Sequence, residues 1–98
     1  MNVNETIARW LGWTWDEDTG AWFAPPPMQH YQITTPSFDR IGDWHGDDGL
    51  LAEIERQELI ARFMLAMREV VGITTWAHMT ATPAQLAAAL VKVIEEAE

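Results

Sequence analysis

Ala81-Thr82-Pro83-Ala84-Gln85-Leu86 opens the helix around which the chain is organised. Thr82 is placed to act as N-cap, and Pro83 takes the first helical position, where a missing N–H costs nothing. Gln85 can reach back to the backbone of the cap, completing a capping box. Leu86, Ala89, Leu90, Val93, Ile94 and Ala97 then recur at steps of three and four, while Gln85, Lys92, Glu95, Glu96 and Glu98 take the other face. One side of this helix must be buried. The alanines at 87 to 89 favour the helix and let another element approach closely, whereas the C-terminal glutamates oppose the macrodipole and predict a frayed last turn.

Working back from this helix, residues 73 to 80 admit two readings. Ile73-Thr74-Thr75-Trp76 can pair as an edge strand, or Thr74 can cap a single turn carrying Trp76, Ala77 and Met79; the turn is preferred. Before it, Leu50, Leu51, Ile54, Leu59, Ile60, Phe63, Met64, Met67, Val70 and Val71 fall at helical spacing. They predict one long helix over roughly 48 to 71, capped by Asp47 or Asp48 and stopped by Gly72, with Glu58 and Arg62 as a favourable four-residue ion pair.

At the other end, Asn2 or Asn4 can cap a short helix in which Val3, Ile7, Trp10 and Leu11 share a face, with Gly12 as its left-handed stop. The period then changes to two. Trp13 and Trp15 alternate with Thr14 and Asp16, the Asp16-Glu17-Asp18-Thr19-Gly20 stretch is a polar turn, and Ala21-Trp22-Phe23-Ala24 is the return strand of a hairpin. Pro25-Pro26-Pro27 closes it, and His30 to Thr35 alternates as a third strand. Phe38, Ile41 and Trp44 are the expected anchors of the Asp- and Gly-rich loop over 36 to 49. The result is an α+β chain read as a single domain over 1 to 98: a short N-terminal helix, a small antiparallel sheet of two or three strands, a long amphipathic helix and a capped C-terminal helix.

Composition narrows function by exclusion. Six basic residues against fifteen acidic ones give a net charge of -9, which opposes direct binding to nucleic acid or to an anionic membrane and favours a partner with a basic surface. With no cysteine there is no disulfide, zinc-thiolate or thiol nucleophile. The N-terminus has no targeting pattern, and no stretch approaches the ~20 apolar residues of a membrane span, so a cytoplasmic location is expected. The 48% hydrophobic content is that of a folded chain, and six tryptophans fall in it, four within the first 22 residues.

Ile7-Ala8-Arg9-Trp10-Leu11-Gly12-Trp13-Thr14-Trp15-Asp16, then Trp22 with Pro25, Pro36-Ser37-Phe38 with Asp39, and Trp76 ahead of Ala81-Thr82-Pro83-Ala84-Gln85 make an order of residues that resembles small phage and prophage proteins carrying the phage ABA sandwich domain. The loop from Arg40 to Gly46 departs from that pattern in its Asp and Gly content. The resemblance implies a phage origin and a layered α+β fold, and it transfers no catalytic residue.

Candidate sites lie in the irregular segments. Asp43, His45 and Asp47 alternate in a loop and are the candidate metal set, against a bland reading in which Asp43-Trp44-His45-Gly46-Asp47-Asp48 is a solvated turn. No cofactor is expected. Ser37 has no nucleophile-elbow context. The acidic groups at 16 to 18, 43 to 48 and 95 to 98 can imitate phosphates or merely keep the chain soluble. Trp10, Trp13, Trp15 and Trp22 are expected to form a core cluster with one or two rings left as interface anchors, and Met64, Met67 and Met79 are expected to fill core. Asp16, Glu17, Asp18, Trp15, Trp22, Asp43, Trp44, Asp47 and Asp48 are therefore the candidate binding residues. The leading expectation is a non-enzymatic phage accessory protein that binds a host protein, as an inhibitor of a defence component, through an acidic and aromatic surface. An oligomeric small-molecule sponge comes second, with Arg9 or Arg40 in its pocket, and a metal-dependent hydrolase third. Because the long helix carries more apolar residues than its neighbours readily cover, a homo-oligomer is expected.

Overall fold

The computed structural model describes residues 2–24, 37–45 and 49–97, together with the backbone of 32–33. The proline run at 25–27, most of the expected third strand and the caps Asp47 and Asp48 lie outside the described residues. The chain is α+β and separates into two compact units, Met1–Ser37 and Phe38–Glu98.

In the first unit, α1 spans Val3–Trp10 and starts where Asn2 accepts a hydrogen bond from Glu5 N at 2.8 Å. It ends where expected. Gly12 takes φ +91°, and the N–H groups of Gly12 and Trp13 close back on the carbonyls of Arg9 and Ala8, a Schellman closure that needs a left-handed residue at this position. Strands β1 (Thr14–Asp16), β2 (Ala21–Phe23) and β3 (Gln32–Ile33) form an antiparallel sheet in that order. The hairpin register sets Trp15 opposite Trp22 and Asp16 opposite Ala21. Among the described residues of this unit, Ile7, Ala8, Ala21, Trp22 and Ala24 are buried.

In the second unit the expected long helix is two helices, α2 (Leu50–Arg56) and α3 (Ile60–Val70). At about 100° per residue, Ile54 and Phe63 would face roughly opposite sides of one continuous helix, yet both are buried. The break supplies the missing turn. Glu58 adopts φ +59°, its N–H bonds to the Glu55 carbonyl and that of Leu59 to Ile54, so α2 ends in the same Schellman closure as α1 with glutamate where glycine is usual. The Glu58–Arg62 pair is thereby lost, since Glu58 is no longer helical, and the ion pair at this corner is Glu53–Arg56 at 2.6 Å. Glu58→Gly is expected to stabilise the protein by about 1 kcal/mol, because it removes the left-handed penalty of a side chain; the midpoint of urea unfolding measures it.

The N-cap of α2 is Gly49, without a side-chain cap. A Cβ there would stand 2.5 Å from the Trp44 carbonyl oxygen, so this close approach admits only glycine. Of the expected loop anchors, Phe38 and Trp44 are buried, whereas Ile41, at the start of a 3-10 turn over Ile41–Asp43, is exposed. Val71 and Gly72 end α3 as read from the sequence. The preferred turn over 73 to 80 is present as α4 (Thr75–Met79), with Thr74 Oγ accepting from Ala77 N at 3.0 Å.

The capping box opens α5 (Pro83–Ala97): Thr82 N donates to Gln85 Oε1 at 2.9 Å, and Gln85 N to Thr82 Oγ1 at 3.2 Å. Leu86, Ala89, Leu90, Val93 and Ile94 are buried, while Ala97 is exposed at the end of the helix. Phe63, Ala66 and Met67 are the buried residues of α3, and the packing of α3 on α5 is the main helix–helix interface of the unit.

Candidate functional site

The hairpin tip is built by local hydrogen bonds. Asp16 Oδ1 accepts from Asp18 N at 2.9 Å and the Asp16 carbonyl accepts from Gly20 N at 2.9 Å, so the four residues after β1 turn back tightly. Glu17 and Asp18 are exposed and Asp16 is half-buried, and among the described residues no basic side chain forms an ion pair with them. Trp15, next to the tip, is 43% exposed. Its ring centroid lies 5.6 Å from that of Trp22 at an interplanar angle of 57°, a tilted cross-strand pair. The Arg9 guanidinium stands 5.5 Å from the Trp22 ring centroid. Trp22 itself is buried, which corrects its assignment as a contact residue: it backs Trp15 and faces no partner. Trp10 and Trp13 are half-buried.

Of the second candidate cluster, Asp43, Trp44 and His45 are described. Asp43 Oδ2 accepts from Arg40 N at 3.2 Å, so that carboxylate closes the 3-10 turn. Trp44 has no exposed surface, and its Nε1–H donates to the Phe38 carbonyl at 2.9 Å within the interior. It is a core anchor, and its assignment as a binding residue is corrected: an indole needs its N–H partner once buried, and Phe38 supplies it. His45 is exposed, and Asp47 and Asp48 lie outside the described residues. Among the described residues no three His, Cys, Asp or Glu side chains converge as a metal site would require.

Sequence reasoning missed a third feature. Two open grooves flank α3: one of about 480 Å³ lined by Met64, Arg68, Ile73, Thr74, His78 and Met79, the other of about 720 Å³ lined by Leu51, Ile54, Ile60, Phe63 and Met64 among others. Met67 is core as expected, but Met64 and Met79 are exposed, a correction to their reading as core filling. Ile73, just before α4, and Trp76 and Met79 on it are about three-quarters exposed. His78 Nε2 donates to the Gly72 carbonyl at 2.8 Å, tying α4 to the end of α3.

Electrostatics elsewhere is local. Hydrogen bonds from Gln57 and Arg56 hold the Glu53 carboxyl below its ordinary value, and Lys92 does the same for Glu69 across 2.9 Å while its own ammonium is raised. The second pair is solvent-exposed and ties α5 to α3 with little net stabilisation. No helix among the described residues is long and apolar enough to cross a membrane. Comparison with known proteins returns no match: no family model, no characterised protein and no solved structure is similar to this chain.

Proposed function

We propose that the chain is a non-enzymatic accessory protein, of the phage kind its sequence resembles, that works in a host cytoplasm by docking on a basic surface of a host protein. The observation that carries this reading is the hairpin tip of the first unit, where a partly exposed indole, Trp15, adjoins the consecutive carboxylates Asp16, Glu17 and Asp18 on a tightly hydrogen-bonded turn. An aromatic anchor beside a charged rim is a usual composition for a binding hot spot. The net charge of -9 steers a basic partner toward the protein and repels polyanions. Inhibition of a host defence component is the form such docking takes in this proposal.

Affinity capture from host lysate tests it. The wild type is compared with a triple variant, Asp16→Asn, Glu17→Gln and Asp18→Asn, and with Trp15→Ala. Asparagine at 16 retains the acceptor for Asp18 N, so the turn survives while its charge is removed. Recovery of a basic partner is expected to fall several-fold in both variants and to weaken as salt is raised. Equal recovery from wild type and both variants would sink the proposal.

A further inference from the structure

Five of the exposed apolar side chains of the second unit gather around two adjoining grooves, while Ile41 and Leu65 line neither. Met64 lines both grooves, Ile60 borders the groove toward α2, and Ile73 and Met79 border the groove toward α4. Trp76 lies three residues from Met79 on α4, which turns the two to the same side. At exposures of 43 to 75%, these five residues leave several hundred Å² of largely apolar surface, the size of the ~300–600 Å² patches that are often functional on a monomer.

The face is also complementary to itself. It carries a projecting indole, Trp76, and beside it an apolar groove of about 480 Å³. Knob and hole on the same surface are what an isologous contact requires, since a two-fold rotation presents each to the other. Charge selects the same occupant. From Glu55 to Thr82, the stretch that lines both grooves apart from His45, Leu51, Ala52 and Ile54, Arg56, Arg62 and Arg68 stand against Glu55, Glu58 and Glu69, a local balance of zero, leaving -9 for the rest of the chain. A basic partner finds its complement elsewhere on the protein, and two acidic copies approach here with least repulsion. We infer that this face joins two copies of the chain in a symmetric dimer, with Trp76 of each seated in the other's groove formed by Met64, Ile73 and Met79. The inference does not depend on the host-binding proposal, which uses the other unit.

Sedimentation equilibrium or light scattering tests it on the whole chain. At roughly 100 µM the wild type is expected at twice its 11.1 kDa mass, and Trp76→Ala is expected to raise the dissociation constant at least about tenfold. Val3→Ala, which removes an exposed side chain of the first unit that lines neither groove, is the control and should leave it unchanged. Because Trp76 is exposed in the chain, its loss should not alter the helical circular dichroism of the monomer, which separates failure to associate from failure to fold. Raising salt should tighten the dimer by screening the repulsion between two acidic chains. A wild-type monomer at that concentration, a dimer indifferent to Trp76→Ala, or a dimer weakened by salt each overturns the inference; a monomer would leave the face to a partner of another kind.

Discussion

Trp44→Ala is expected to lower stability by about 3–5 kcal/mol, the range for deleting a large buried aromatic. The indole has no exposed surface and its N–H is committed to the Phe38 carbonyl at 2.9 Å, so the substitution removes both packing and a buried hydrogen bond. Trp44→Phe separates the two effects. It keeps a ring in the space and removes only the buried hydrogen bond, for an expected loss of about 1–3 kcal/mol. Urea unfolding of both variants gives the difference. Against the ~5–15 kcal/mol total stability of a protein this size, the alanine variant should be marginally folded at 37 °C. A loss below 1 kcal/mol would mean that Trp44 is a surface residue after all, as a binding role would require.

Leu90→Ala is expected to cost about 2–5 kcal/mol. Leu90 is fully buried on α5, on the helix whose packing against α3 dominates the second unit. Ala88, two residues earlier, is exposed on the same helix, and Ala88→Ser should change stability by no more than about 0.5 kcal/mol. The contrast between the two, read as shifts in the denaturant midpoint at constant slope, tests the orientation of α5 directly.

What was legible in the chain was whatever a few adjacent residues decide among themselves. The box of Thr82 and Gln85, the caps Asn2 and Thr74, the left-handed stop at Gly12 and the turn at Asp16 are each settled by side chain and backbone within four positions. The α+β class followed from the same signals. The break at Glu58 escaped because no glycine or proline marks it, although the pattern carried a trace: Ile54 is followed by Gln57 and Glu58 where a continuous helix would place apolar residues, and the stripe resumes at Leu59. Burial was less legible still. Trp15, Trp22, Trp44 and Trp76 are chemically identical and end up half-exposed, buried, buried and exposed, because exposure depends on what covers a residue from a distance. Of the candidate site, Trp15 and Asp16 to Asp18 stand where they can meet a partner, Trp22 and Trp44 do not, and the α4 face was not anticipated.

The closure at Glu58 has one further consequence. In a continuous helix, hydrogen bonds between residues four apart form an unbroken ladder, and unzipping that begins at one end can run along it. Here the ladder of α2 is finished off by Leu59 N–H on the Ile54 carbonyl, and that of α3 begins afresh with Phe63 N–H on Leu59. The two helices share a corner but no rungs. Fraying that starts at Leu50 therefore finds no continuous backbone ladder to follow past Leu59 into α3.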